Sequence, residues 1–169
     1  ELSEMTDPKS VTEDRFAYVR DVYIQPKGVW ATSRVQRVMD AANMSQGDLV
    51  LDLACSMGTF SNQARQVGAR PVGVDLNCHT IVEGRTISDS ITGHTTPRVQ
   101  ANALSLPFAG DTFDVSINAD FIEHTPSEAK LPIFVEMQRV LKKGGRAVVY
   151  SPNLNKIRWV LFGDRAKRL

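Results

Sequence analysis

Residues 50–59 read Val50-Leu51-Asp52-Leu53-Ala54-Cys55-Ser56-Met57-Gly58-Thr59, an apolar run broken by one acid and followed by a turn of small side chains. Leu49 to Leu53 is short and continuously apolar apart from that acid, the pattern of a strand buried on both faces. Small residues directly after such a strand let the chain turn tightly into a helix, here expected from about Phe60 to Val67. They also let a ligand approach the backbone without obstruction, and either use explains the turn by itself. A turn that cradles a pyrophosphate needs G-x-G-x-x-G. Gly58 is the one glycine in this stretch, which argues against a nicotinamide or flavin cofactor.

The same strand–turn–helix unit recurs downstream. Pro71 to Val74 predicts a second strand closed by Asp75, with a helix after Asn77. Arg98 to Ala101 predicts a third strand, Phe113 to Ile117 a fourth and Ala147 to Tyr150 a fifth. The helix before strand five is expected to run to about Lys143 and stop at Gly144-Gly145, with Pro132 setting its start near Leu131 or kinking it. Strands alternating with helices pair in parallel through right-handed crossovers. The expected fold is therefore α/β, a doubly wound, mostly parallel open sheet. Ligands on such sheets bind at the carboxyl ends of the strands, near the point where strand order reverses. Asp75 lies there, 23 positions beyond Asp52. A carboxylate at that place can accept hydrogen bonds from both hydroxyls of a ribose; taken alone it could equally cap the next helix.

Upstream, residues 1–46 read as a helical preface. Ser10 and Glu13 form a capping-box pattern opening a helix through Tyr23, and Pro26 and Gly28 break the chain before a second helix from Ser33 to Ala42. With Phe16, Tyr18, Tyr23 and Trp30, this preface is expected to lie as a lid over the core, residues 47–154. Residues 155–169 predict a basic amphipathic helix, in which Ile157, Val160 and Leu161 fall at helical spacing among Lys156, Arg158, Arg165, Lys167 and Arg168. Packing of that helix on the sheet is favoured over docking on an anionic lipid surface. No further strand is predicted, so strand five would be a bare apolar edge unless the tail or a second copy covers it.

The 20 Lys and Arg residues nearly balance 19 Asp and Glu, a net charge of +1 that gives no reason to expect a nucleic-acid partner. No apolar run approaches the roughly 18–20 residues of a membrane span. The acidic, polar start from Glu1 to Ser10 does not read as a signal peptide. Cys55 and Cys78 are too few for a disulfide framework, so a reduced cytoplasmic setting is expected. No His, Cys and carboxylate grouping has metal-ligand spacing, and neither a Walker loop nor a nucleophile elbow is present.

Taken in order, these strings resemble class I (Rossmann-like) S-adenosylmethionine-dependent methyltransferases, nearest to the broad group acting on quinones, sterols and other small molecules. The family pattern has an acid at the end of strand one and then G-x-G-x-G; here Asp52 is that acid, Ala54 and Ser56 stand at the first two glycines, and Gly58 keeps the third. Asn102-Ala103 with Leu106-Pro107-Phe108 is similar to the segment that contacts adenine. Asp111-Thr112-Phe113-Asp114-Val115, Ile122-Glu123-His124, Arg139 to Gly145 and Ser151-Pro152-Asn153 match later landmarks over about 100 residues. The complete family fold continues past strand five with a further helix and two strands, which this chain does not show.

The resemblance implies S-adenosylmethionine as cofactor and S-adenosylhomocysteine as product. It implies that the backbone of Ala54, Cys55, Ser56 and Gly58, with groups around Asn118, holds the methionine end. Asp75, followed by Leu76, takes the ribose, and Asn102 and Ala103 meet the adenine. Methyl transfer to a small-molecule acceptor by in-line displacement needs no acid for the neutral leaving group. A general base is needed where the nucleophile arrives protonated, and His124 on the loop after strand four is the first candidate, with Glu123 second. The alternative is a non-catalytic S-adenosylmethionine-binding module, or a shortened methyltransferase-like domain.

Overall fold

The computed structural model describes residues 12–152 and the backbone course of residues 158–162. Ser10, Lys156, Ile157 and the basic stretch from Arg165 lie outside the described residues. Helix α1 (Glu13–Val19) is capped by Thr12, whose hydroxyl accepts from the Arg15 N–H at 3.3 Å, and runs into a π-helical turn over Arg20–Ile24. Helix α2 (Val29–Ala42) starts four residues earlier than its apolar spacing predicts. It ends on Asn43 in left-handed conformation (φ 40°), and Arg146 donates to the carbonyls of Ala42 and Asn43, satisfying groups that a helix C-terminus leaves open.

The core alternates as expected: β1 (Leu49–Leu53), α3 (Thr59–Gln66), β2 (Arg70–Asp75), α4 (Cys78–Glu83), a π-helical turn (Gly84–Ser88), α5 (Asp89–Thr92), β3 (Arg98–Gln100), β4 (Phe113–Ala119), α6 (Ser127–Val140) and β5 (Leu141–Ser151). Strands β1 to β5 are all parallel, in the order 3-2-1-4-5, so strand order reverses between β1 and β4. Helix α6 stops at Val140 rather than Lys143, because Leu141 already pairs with Phe113; Gly144 and Gly145 lie within β5, next to a register shift on β4. Pro132 sits inside α6, which begins four residues before Leu131.

The predicted C-terminal helix is corrected by the structure. Arg158–Phe162 forms a sixth strand, β6, antiparallel to β5 with Ala147 opposite Phe162 and Ser151 opposite Arg158. Arg-Trp-Val-Leu-Phe is a short apolar run that spacing alone assigns to either state, and the open edge of β5 supplies the hydrogen bonds that make it a strand. The bare edge expected on strand five is thereby covered, without a second copy.

Both faces of the sheet are buried. Leu51, Leu53, Val74, Ala147 and Val149 pack under α6 with Ile133 and Met137. Val50, Val115, Ile117 and Val148 pack under α2 and α3 with Val35, Val38, Phe60 and Ala64. The preface is fixed to the core by Val19 and Ile24 against Met57 and Ile87, and by a two-pronged ion pair from Arg15 to Glu83 (2.5 and 2.8 Å). Among the described residues no helix is long and apolar enough to cross a membrane.

Candidate active site

The turn after β1 follows an unusual backbone course. Ala54 (φ 61°), Ser56 (φ 48°) and Gly58 (φ 87°) are all left-handed, at alternate positions. Left-handed geometry favours glycine. The three positions are those of the glycines in the family pattern, so glycine there serves backbone conformation as well as clearance. The course is held by Cys55 N–H to the Val74 carbonyl (2.9 Å) and Gly58 N–H to the Cys55 carbonyl (2.7 Å). Asp75 secures it from β2: one carboxylate oxygen accepts from the Ser56 N–H and the other from the Asn77 N–H, each at 2.9 Å.

Two cavities meet at Ala54. The first, about 310 Å³, is lined by Leu53, Asp75, Leu76, Asn102, Ala103 and Leu104, and closed by Phe121, His124 and Ile133. Its floor segment is anchored to α6: Glu136 accepts from the Leu106 N–H (2.7 Å), and Arg139 donates to the carbonyls of Leu106 (3.0 Å) and Phe108 (2.8 Å). The second, about 450 Å³, is lined by Asp52, Ala54, Cys55, Ser56 and Thr59, by Val22, Tyr23, Ala31 and Arg34 of the preface, and by Ala119 and Asp120 after β4.

The first cavity carries one carboxylate, Asp75, and charge is concentrated in the second. The second cavity holds two carboxylates and one guanidinium. Asp52 is buried and accepts from the Ser61 N–H (2.8 Å) and Ser61 hydroxyl (2.7 Å). Burial pushes its carboxyl up to about 6, against the lowering effect of the Ser61 hydrogen bonds and the Arg98 charge. Arg34 is ion-paired with Asp120, itself left-handed at φ 57°. Burial pushes the Cys55 thiol up as well, leaving it an inert packing group.

Most of the sequence-predicted residues fall on these walls. Asp75, Leu76, Asn102 and Ala103 gather in the first cavity, Asp52, Cys55 and Ser56 in the second, and Ala54 in both. Gly58, within the turn, lines neither cavity. Asn118 lines neither cavity: it is buried between Leu53 and Val149, with both side-chain amide atoms unpartnered. His124 is exposed on the rim of the first cavity, away from Arg34 and Asp120. Glu123 has one buried carboxylate oxygen without a partner. Sequence reasoning missed Arg34, Asp120, Ser61 and Arg98. None of the four carries a motif, and the sequence alone does not separate buried Arg98 from Arg70, which also opens a parallel strand but is exposed.

A divided cleft at the carboxyl ends of β1 and β2, beside the reversal of strand order, defines a doubly wound α/β domain with a largely apolar compartment and a more charged one. A methyltransferase-domain family profile matches residues 50–145, and the chain belongs to that family. It is similar to the demethylmenaquinone methyltransferase of Paenarthrobacter aurescens, 30% identical over 88% of this chain and 56% of the relative. It is also similar to the sterol 24-C-methyltransferase of Eremothecium gossypii, 33% identical over 65% of this chain and 30% of the relative. Of solved structures, the PH0226 protein from Pyrococcus horikoshii superimposes with a TM-score of 0.69 at 28% identity, over 83% of this chain and 63% of that one. The chain thus spans little more than half the length of these curated relatives, or less.

Proposed function

We propose that the chain binds S-adenosylmethionine across the two cavities and directs transfer of its methyl group to a small-molecule acceptor. The observation that carries this reading is the charge division at Ala54. The adenosine end is apolar apart from the ribose hydroxyls and the base edge, and the first cavity offers Leu53, Leu76, Leu104 and Ile133, with Asp75, Asn102, His124 and Thr125 as its polar side chains. The methionine end carries a sulfonium, an ammonium and a carboxylate. The second cavity offers Asp52, Asp120 and Arg34, the complementary set.

When bound, the cofactor supplies an electrophilic methyl on a positively charged sulfur. The chain's own contribution is largely placement. Asp75 keeps a free lone pair on each oxygen for a ribose hydroxyl while holding the Ser56 and Asn77 N–H groups. Asn102 accepts from the Leu104 N–H (3.0 Å), which leaves its amide N–H groups for an adenine edge. In the second cavity Arg34 would hold the carboxylate of the methionine end, and Asp52 would meet its positive charge. Holding donor and acceptor in line can supply roughly 7–11 kcal/mol of a barrier.

Val22, Tyr23, Ala31 and Phe60 give the second cavity an apolar wall. The names of two relatives point to a quinone and a sterol as acceptors, and such a molecule would find a seat there. A proton released by the acceptor has a carboxylate in the same cavity, Asp120. His124 stands on the other cavity's rim.

The test is turnover with methyl-labelled cofactor against a panel of quinols, phenols, sterols and amines. Label appearing in one acceptor class supports the proposal. Cofactor binding without label transfer to any class favours the non-catalytic binding module instead.

A further inference from the structure

Arg98, the first residue of β3, has a side chain that is 0% exposed. Its Nη1 donates to Asp89 Oδ1 (2.8 Å) and to the Thr96 carbonyl (3.4 Å), while Nε and Nη2 have no hydrogen-bond partner. Two glycines make room for it: a β-carbon on Gly58 would lie 3.2 Å from Nη2, and one on Gly84 3.3 Å from Nε. The guanidinium therefore lies directly beneath the turn after β1, and the Gly84 position is also 3.5 Å from the Ser56 carbonyl. A strut needing only bulk would be an apolar side chain, because burying a guanidinium without full pairing is unfavourable. A charge kept in this place has a use beyond filling space.

We propose that Arg98 is a positioning residue for cofactor binding, its charge keeping the Asp52 carboxylate and the 56–58 backbone in the arrangement that the methionine end requires. The inference rests on the S-adenosylmethionine reading above. Asp52 receives both hydrogen bonds of Ser61 from α3, and faces the charge of Arg98 from β3 and that of Asp75 from β2. Arg34 of α2 and Asp120 after β4 share its cavity, and the Cys55 thiol stands beside it. Arg98 opposes protonation of Asp52, and Asp89 partly neutralises Arg98.

The experiment is calorimetric titration with S-adenosylhomocysteine from pH 5 to 8 on the wild-type chain, Arg98→Met, Arg98→Lys and Asp89→Asn, with folding checked by circular dichroism. The wild-type affinity is expected to fall at acid pH with a midpoint near that of Asp52. Arg98→Met should weaken binding about tenfold at pH 8 and move the midpoint up by about one pH unit. Arg98→Lys should restore the midpoint. Asp89→Asn, which releases the cation from its partner, should move it down, and it decides the matter if Arg98→Met does not fold. A wild-type chain that binds, with folded variants matching its affinity and midpoint, would show Arg98 to be structural only and overturn the inference. A wild-type chain that binds nothing across the pH range would overturn the cofactor reading itself, and this inference with it.

Discussion

At the scale of single residues, the site concentrates conformations and charges that a scaffold would avoid. Ala54, Ser56 and Asp120 are left-handed without being glycine, at a typical cost of about 1–2 kcal/mol each. Ser56→Gly removes that strain and adds a smaller loss of unfolded-state entropy, so it should stabilise the chain by about 0.5–1 kcal/mol in urea unfolding. A loss of stability would mean that the Ser56 side chain is itself holding the turn. Asp52 makes a second, pH-dependent case. Its carboxyl is raised to about 6 in the fold from an ordinary 3.8, so the folded chain keeps that proton where the unfolded chain has lost it. Stability from this group is therefore full below about pH 4 and falls as pH rises to about 6, by about 3 kcal/mol in all. Asp52→Asn should accordingly gain about 1–2 kcal/mol at pH 8, after the loss of charge-assisted bonds to Ser61, and almost nothing at pH 4. Equal effects at both pH values would contradict the assignment. Asp52 and Asp75 could be read from the sequence because strand ends and their spacing mark them. Arg34 and Asp120 could not, because their proximity comes from packing α2 against the end of β4, 86 residues apart along the chain.

At the scale of elements, β1 was predicted to the residue because its apolar run and the turn behind it agree with each other. The helical cap after Ser10 was not: Thr12 takes the capping role, and the helix passes into a π-helical turn that no apolar spacing announces. Strand β6 was missed because four apolar and aromatic residues after Arg158 fit either periodicity, and only the edge of β5 settles the choice. The loop of residues 101–108 shows how one element serves another's site. It has no secondary structure of its own, and Glu136 and Arg139 on α6 hold its Leu106 and Phe108 backbone groups. Arg139→Ala should leave the sheet intact and weaken S-adenosylhomocysteine binding about fivefold, read by calorimetry. Unchanged affinity would mean that Asn102 and Ala103 are held independently of α6.

At the scale of the whole molecule, the reversal of strand order between β1 and β4 opens a cleft, and the preface closes one side of it through Val22, Tyr23, Ala31 and Arg34. The division of the cleft at Ala54 into an apolar and a charged compartment is a property of this assembly, visible in no single segment. In the proposed function one ligand spans both compartments with Asp75 at its middle. Calorimetry of S-adenosylhomocysteine against the wild-type chain and Asp75→Ala tests this most directly. The wild-type chain is expected to bind at micromolar concentration, and the substitution to weaken binding at least tenfold, about 1.4 kcal/mol. Wild-type binding that Asp75→Ala leaves untouched, or no binding to the folded wild-type chain, would contradict it.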